Sequence, residues 1–133
     1  MSTLEGGCAC GHIRYRVSGE PSQTSVCHCT QCRMATGAPF GVYSAFPAEA
    51  VEFLTERPTY FKSSDAAERG FCPKCGTALS FCYFDSEEID ISTATLDDPN
   101  AFPPQDHWWT ESKIDWVNID DGLPQHPRQG EHS

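Results

Sequence analysis

Seven of the eight cysteines in this 133-residue chain fall into three short clusters. The clusters are Cys8 with Cys10, then Cys27 with Cys29 and Cys32, and finally Cys72 with Cys75. Thiolates this close together along the chain can face one metal ion, and zinc is the metal that tetrahedral sulfur sites most often hold. The chemistry to consider first is therefore metal binding, followed by the reactions of a metal-bound or free thiolate.

The third cluster has the form of a zinc knuckle, because Cys72 and Cys75 are separated by two residues and followed by Gly76. Gly76 permits the positive φ that points backbone N–H groups at the sulfurs. A knuckle supplies two ligands, and Cys8 with Cys10 would supply the other two. We expect these four cysteines to close one structural zinc site. A redox pair at Cys72 and Cys75 is the alternative, which the lack of a βαβ pattern disfavours.

The middle cluster offers only three thiolates, from Cys27, Cys29 and Cys32. If Cys27 and Cys29 end a strand, both point to one side and His28 points away, so we expect His28 to be a neighbour and not a ligand. Three protein ligands leave one zinc position open, which is the arrangement of a catalytic zinc. Two alternatives remain. Cys82 could close a second structural site, or the three thiols could be free of metal.

Other side chains near these clusters could hold a substrate. Arg33 could bind a substrate carboxylate or lie on the surface beside the helix. Trp108 and Trp109 could line a pocket or pack in the core. We expect His107 to support the fold through a hydrogen bond and not to bind metal.

The charge and hydropathy of the chain exclude some classes of function. Nineteen acidic and nine basic residues give a formal charge of −10, which weighs against nucleic acid as a partner. Arg14, Arg16 and Arg33 could still form a local basic pocket, because salt screens the field beyond about 8 Å. No segment approaches the ~18 apolar residues of a membrane span, and no secretory signal is apparent at the start of the sequence. We therefore expect a cytoplasmic protein, in which reduced cysteines bind metal.

Short alternating segments predict a mainly β domain. Ile13, Tyr15 and Val17 lie on one face of a half-buried strand. Aromatic and β-branched residues predict further strands at 40–46, 51–55, 59–63, 77–84 and 89–95.

One short helix is predicted at residues 30–36, with Thr30 as its N-cap and Gly37 as its stop. Residues 1–122 are expected to form a zinc-binding domain. Residues 123–133 are polar and contain two prolines and a glycine, so we expect them to form a flexible tail.

With these motifs in place, the chain resembles the glutathione-dependent formaldehyde-activating enzyme family, whose domain is shared with a centromere-associated protein. The similarity runs from Gly6 to about Trp116. It is carried, in order, by GGCACG at 6–11, VCHCTQCR at 26–33 with GAPF at 37–40, RGFCPKCGT at 69–77, LDDP at 96–99, and His107, Lys113 and Trp116.

The resemblance implies a mainly antiparallel, Mss4-like β fold with two zinc ions per chain. We call Cys8, Cys10, Cys72 and Cys75 the four-cysteine group, which would hold the structural zinc. We call Cys27, Cys29 and Cys32 the three-cysteine group, which would hold the second zinc, associated with activity.

The reaction that the resemblance implies is the joining of glutathione, a small thiol, to formaldehyde, a small aldehyde. The product is S-(hydroxymethyl)glutathione, and the enzyme class is carbon–sulfur lyase. On the residues alone, a non-catalytic zinc-stabilised binding module and a thiol-based metal or redox sensor remain alternatives.

Overall fold

The computed structural model describes residues 2–129, and most of its regular structure is β-strand. The strands are β1 (Thr3–Gly7), β2 (Arg14–Ser18), β3 (Gln23–Cys27), β4 (Gly41–Pro47), β5 (Val51–Phe53), β6 (Thr59–Lys62), β7 (Ala67–Phe71), β8 (Ala78–Tyr83), β9 (Glu88–Ser92) and β10 (Asp106–Trp108). The helix α1 spans Thr30–Thr36, and single 3₁₀ turns lie at Ala48–Ala50, Thr93–Thr95, Pro99–Ala101 and Thr110–Ser112.

The strands of residues 2–129 form two sheets. The small sheet has the order β1-β2-β5, and the large sheet has the order β10-β3-β4-β9-β8-β7-β6. The paired strands are antiparallel, except that β10 runs parallel to β3. The expected class, a mainly β, Mss4-like fold with antiparallel sheets and one short helix, is confirmed.

The apolar core joins the two sheets. Tyr15 and Val17 of β2 pack with buried residues of the large sheet, such as Phe46 and Ile91. The predicted buried face of β2 is confirmed, because Ile13, Tyr15 and Val17 are all fully buried. Two cysteines of the four-cysteine group, Cys8 and Cys72, belong to the same buried cluster. That group therefore lies where the two sheets meet.

The strands predicted from alternation correspond to β4, β5, β6 and β8, with shifts of one or two residues at their ends. The segment predicted at 89–95 is β9 only as far as Ser92, after which the chain turns. β1, β3, β7 and β10 are not predicted by alternation. In β1 the reason is a close contact, since a Cβ at Gly6 would lie 2.5 Å from the Tyr15 hydroxyl. Glycine is a weak strand former, so this packing requirement hides the strand.

The helix α1 begins and ends as predicted, but its N-cap differs. The N-cap is Cys29 and not Thr30, because the Cys29 sulfur accepts a hydrogen bond from the backbone N–H of Cys32 at 3.2 Å. Gly37 ends the helix in the left-handed conformation, with φ of 66°. The error at the N-cap has a chemical cause, since thiols are uncommon caps and Ser, Thr, Asp and Asn are the usual ones.

The described part of the C-terminal segment lies against β10. The backbone N–H of His107 donates to the carbonyl of Pro124 at 2.9 Å, and that of Trp109 donates to the carbonyl of Arg128 at 2.9 Å. The division into a domain at 1–122 and a flexible tail at 123–133 stays a prediction, and residues 130–133 lie outside the described residues. Within residues 2–129, no helix is long and apolar enough to cross a membrane.

Candidate metal centres and active site

The structure brings the four-cysteine group together, although Cys10 and Cys72 are 62 residues apart in sequence. All four sulfurs lie within 4.8 Å of one another. The Cys8 and Cys10 sulfurs are 3.7 Å apart, and those of Cys10 and Cys72 are 3.8 Å apart. Four sulfurs at ~2.3 Å from a tetrahedral zinc are about 3.8 Å from one another. These two spacings therefore match a tetrahedral zinc site.

Two similar turns present these sulfurs. Gly11 has φ of 81° and its N–H donates to the carbonyl of Cys8 at 3.1 Å. Gly76 has φ of 80° and its N–H donates to the carbonyl of Cys72 at 2.8 Å. Both positions need glycine because L side chains rarely adopt this conformation. The knuckle geometry expected at Gly76 is therefore present, and the first pair of cysteines has the same geometry.

Backbone and hydroxyl donors surround the sulfurs of the four-cysteine group. The N–H of Ile13 donates to the Cys8 sulfur at 3.2 Å, and the N–H of Cys75 donates to the Cys72 sulfur at 3.4 Å. The Thr77 hydroxyl lies 3.1 Å from the Cys75 sulfur and is the main reason why the pKa of Cys75 falls to about 5. Donors of this kind favour the thiolate, which is the form that binds metal.

The three-cysteine group lies where β3 leads into α1. Cys27 ends the strand, Cys29 caps the helix and Cys32 lies in its first turn. The three sulfurs are within 4.8 Å of one another. Cys27 donates to Cys29, and this hydrogen bond is the largest cause of a Cys29 pKa lowered to about 2. A lowered pKa favours the thiolate of Cys29, which is the form that binds metal. Cys82 lies outside it and donates to the backbone carbonyl of Tyr83 at 3.3 Å.

Two buried histidines anchor the loop that carries these cysteines. His28 is fully buried, and its Nε2 lies 2.9 Å from Nδ1 of His107. Nε2 of His107 lies 2.7 Å from a carboxylate oxygen of Asp121. Because a carboxylate only accepts, His107 donates to Asp121, and its Nδ1 accepts from His28. Burial lowers the pKa of His28 to about 4, so this ring is neutral. His28 thus points away from the sulfurs, and His107 has the supporting role expected of it.

The three-cysteine group lines a cavity of about 530 Å³, whereas the four-cysteine group is not among the described lining residues. A cavity of this volume is within the range of small-molecule sites. The rest of the wall includes Tyr43, Arg69, Phe81, Tyr83, Trp108 and Trp109. Of the two possibilities for the tryptophans, the structure favours the pocket.

Arg69 is the cationic side chain beside the three-cysteine group, and the sequence reasoning missed it. Its Nη2 lies 3.7 Å from the Cys32 sulfur, and its Nη1 donates to the Tyr43 hydroxyl oxygen at 3.1 Å. The guanidinium carbon is 4.6 Å from the centroid of the Phe81 ring. The available signal was the position of Arg69 at the start of the third motif. Its charged strand, AERGF, lacks the apolar alternation that would have placed it.

The described lining of the cavity includes none of the three arginines that could have formed a basic pocket, which are Arg14, Arg16 and Arg33. Arg14 donates to Asp97 at 3.0 Å, and Arg16 donates to Glu5 at 3.1 Å. Both arginines are therefore paired with carboxylates on or beside the small sheet. The half-buried Arg33 is also absent from the described lining residues.

Comparison with known proteins places these features in a family. Residues 3–112 match the family described as glutathione-dependent formaldehyde-activating enzyme. An uncharacterized lyase of Schizosaccharomyces pombe (strain 972 / ATCC 24843) is 37% identical over 83 residues, which are 62% of this chain and 60% of that protein. A protein of Halomonas elongata, provisionally named glutathione-dependent formaldehyde-activating enzyme, is 31% identical over 129 residues, covering 88% of this chain and 81% of the other.

A solved structure supports the fold alone. The crystal structure of a Rhodobacter sphaeroides protein superposes with a TM-score of 0.59 at 19% identity, covering 92% of this chain and 99% of the other. The match over residues 3–112 covers most of the chain and includes all three cysteine clusters. On this evidence the chain belongs to the glutathione-dependent formaldehyde-activating enzyme family.

Proposed function

We propose that the chain is a zinc-dependent carbon–sulfur lyase that joins glutathione, or a similar small thiol, to formaldehyde or another small aldehyde. One observation carries the proposal. The three-cysteine group, one ligand short of a closed tetrahedron, lines the cavity, whereas the four-cysteine group adjoins the apolar core. Membership of the family and the names of two relatives support the same chemistry.

The four-cysteine group would hold a structural zinc. Its ligands come from two parts of the chain, and Cys8 and Cys72 are buried with core residues. A metal at this point would tie the start of the chain to the turn between β7 and β8, so that its binding free energy stabilises the fold. Tetrahedral sulfur sites also suit iron, and the metal content of the purified protein decides between the two metals.

The three-cysteine group would hold the second zinc through Cys27, Cys29 and Cys32. When bound there, zinc supplies an open position for an incoming thiol and lowers the pKa of that thiol. The surrounding residues of the chain have the task of binding. Trp108 and Trp109 line the cavity and offer apolar surface to the thiol.

The proposed reaction is balanced without a redox cofactor. The thiol gives up a proton, its sulfur bonds to the carbonyl carbon, and the carbonyl oxygen gains a proton. Nothing is oxidised or reduced. The cysteine ligands must remain reduced to bind metal, so we place the protein in a reducing compartment, the cytoplasm.

Two measurements test the proposal. Native mass spectrometry should find two zinc ions per folded chain. Exchange NMR at equilibrium should show faster interconversion of glutathione and S-(hydroxymethyl)glutathione than in buffer, since this addition also occurs spontaneously. Cys29→Ser should lose the acceleration and one zinc ion. Cys82→Ser, which changes a thiol in the same cavity but outside the three-cysteine group, should keep both.

Either of two results would contradict the proposal. A Cys29→Ser protein that exchanges as fast as wild type would remove the three-cysteine group from the reaction. A wild-type protein that carries two zinc ions but accelerates exchange with none of several small thiols and aldehydes would show that the group has another function.

A further inference from the structure

We propose that Arg69 is a catalytic residue of this site, which binds the carbonyl oxygen of the aldehyde as that oxygen becomes negatively charged. The inference rests on the proposed function, because it concerns the second reactant, on which the sulfur acts. It assigns a role to a residue that lies outside both cysteine groups.

The position of Arg69 relative to the sulfurs is the first part of the argument. Arg69 lies on β7, and its guanidinium reaches across the cavity wall to within 3.7 Å of the Cys32 sulfur. Both residues line the cavity. A thiol bound at the three-cysteine group would place an aldehyde in this space, with the carbonyl oxygen in reach of the guanidinium N–H groups.

The orientation of the guanidinium is fixed on two sides. One N–H donates to the Tyr43 hydroxyl oxygen at 3.1 Å, and the plane rests over the Phe81 ring at 4.6 Å. The Tyr43 ring in turn occupies space that only a glycine leaves open, because a Cβ at Gly41 would lie 2.6 Å from the ring and from its hydroxyl. A guanidinium has five N–H donors, and the two contacts to Tyr43 and Cys32 use two of them. Arg69 is therefore a preorganised donor, as transition-state stabilisation requires.

Charge is the second part of the argument. A guanidinium stays protonated at any working pH, so its charge does not depend on the state of its neighbours. The half-buried guanidinium of Arg69, 3.7 Å from the Cys32 sulfur, places a fixed positive charge beside the position where the reaction creates a negative one. Arg69 is not needed to move a proton. It has only to hold the oxygen while the charge is there.

The step balances as follows. The bond between the thiolate sulfur and the carbonyl carbon forms, and the π electrons of the C=O bond move to oxygen. The alkoxide pairs with the guanidinium of Arg69, which keeps its protons. The alkoxide then takes a proton from water, and the proton released earlier by the thiol neutralises the hydroxide that is left.

The kinetic test uses Arg69→Met and Arg69→Lys in the full chain. Arg69→Met should lower kcat about 100-fold, the effect of losing one donor of this kind. The Kd for glutathione, read from the fluorescence of Trp108 and Trp109, should change less than twofold. Arg69→Lys should lower kcat about tenfold, since it keeps the charge and loses the planar fork. Added guanidinium chloride should restore part of the activity of Arg69→Met.

Arg57→Met is the matched control, because Arg57 also stacks on an aromatic ring, Phe53, at 5.2 Å. It should leave kcat unchanged. The proposal is overturned if Arg69→Met keeps the wild-type kcat. It is also overturned if the Kd for glutathione rises as much as kcat/KM falls, because Arg69 would then bind a carboxylate of the thiol. If Arg69→Met loses its fold or its zinc, Arg69→Lys decides, and a wild-type kcat in that variant overturns the proposal.

A second readout does not depend on turnover. The cysteines of the three-cysteine group are alkylated with anionic iodoacetate and with neutral iodoacetamide, and mass spectrometry gives the ratio of the two rates. A cation a few ångströms away should favour the anion, so Arg69→Met should lower the ratio about tenfold there and leave it unchanged at the exposed Cys75. An unchanged ratio at the three-cysteine group overturns the proposal.

The two readouts separate this inference from the proposed function. If wild type is inactive and the ratio falls in Arg69→Met, the anion site stands and the lyase function fails. If wild type is active and neither kcat nor the ratio changes in Arg69→Met, the lyase function stands and the role of Arg69 fails.

Discussion

Replacement of Asp106 by Asn should destabilise the protein and disturb the cavity wall, because this buried carboxylate joins three parts of the chain. One oxygen accepts from Ser25 on β3 and from Gln23 at 3.1 Å. The other accepts from the indole N–H of Trp108 at 3.0 Å and from His126 at 3.1 Å. An amide has one acceptor oxygen where the carboxylate has two, so one of these donor pairs must lose its partner.

The less costly orientation keeps the pair on β3 and turns the new NH₂ group toward Trp108 and His126. Losing the acceptor of the partly buried Trp108 costs about 1–3 kcal/mol. The half-exposed His126 adds little, because water can replace its partner. We therefore expect Asp106→Asn to lower the free energy of unfolding by about 2–3 kcal/mol. For a domain of this size that corresponds to roughly 8–12 °C in Tm.

The same network gives a signed dependence on pH. Burial alone raises the pKa of the Asp106 carboxyl, but hydrogen bonds from Ser25, Trp108 and Gln23 bring it below the ordinary value of 3.8. The unfolded chain therefore binds the proton more readily, and the stabilisation is present above pH 3.8 and is lost as the pH falls through the folded pKa. The difference between wild type and Asp106→Asn should be constant from about pH 5 to 8 and shrink only below about pH 4.

Urea unfolding followed by tryptophan fluorescence measures this difference at each pH. Asp120→Asn is the control, since Asp120 is an exposed carboxylate in the same C-terminal region, and it should change stability by less than about 0.5 kcal/mol. Amide exchange should quicken at His126 in Asp106→Asn, because the segment at 124–128 is held partly through this carboxylate. If the two variants unfold alike, the hydrogen bonds to Asp106 do not contribute and the reasoning is wrong.

Three further perturbations separate the roles of the site. Cys75→Ser should release the structural metal and lower the free energy of unfolding by about 4 kcal/mol or more, whereas loss of a ligand from the three-cysteine group should lower it much less; equal losses in urea unfolding would contradict the division. Gly41→Ala should displace the Tyr43 ring and lower kcat about tenfold with both zinc ions retained, and an unchanged kcat would show that Tyr43 does not orient the site. His107→Phe leaves the buried N–H of His28 without an acceptor, so chelator competition should find the second zinc bound about 10–100-fold more weakly. An unchanged zinc affinity would show that the hydrogen bond between the two histidines does not support the three-cysteine group.

The cysteine groups could be predicted from the sequence because metal ligation has local and chemical constraints. Each turn places its sulfurs within a few residues, and the number of ligands that zinc needs indicates which clusters must combine. Cys10 and Cys72 are separated by 62 residues, and the structure brings their sulfurs to within 3.8 Å of each other, as the expected grouping requires. The strands with apolar alternation were predictable for a similar reason, since a strand with one buried face alternates apolar and polar residues along its own sequence.

Arg69 could not be predicted in the same way. Its neighbours in sequence, Glu68 and Gly70, give no sign of which way the side chain points or of what it faces. Its contact with Cys32 follows from the pairing of β7 with β8, of β8 with β9 and of β9 with β4, which brings elements distant in sequence to one cavity. The opposite error concerns Arg14 and Arg16, which lie near the cysteines in sequence but face acidic partners such as Glu5. Closeness in sequence did not predict which charged side chains lie near the sulfurs. The strands carry neighbouring residues apart, and the pairing of strands brings distant residues together.

The two cysteine groups use the same ligand chemistry, so their different roles must come from their surroundings. Four thiolates around Zn²⁺ carry a net charge of −2 and leave no position for a further ligand. Three thiolates carry −1, and a bound thiolate substrate would bring that site to −2 as well. The four-cysteine group meets its charge with backbone N–H groups from Ile13 and Cys75, which are fixed by its turns. The three-cysteine group has the backbone N–H of Cys32 and, in addition, a half-buried guanidinium, which can also face a second reactant in the cavity. An incomplete ligand set and a cation held in a fixed orientation belong together, because the open position admits one anion and the reaction creates another.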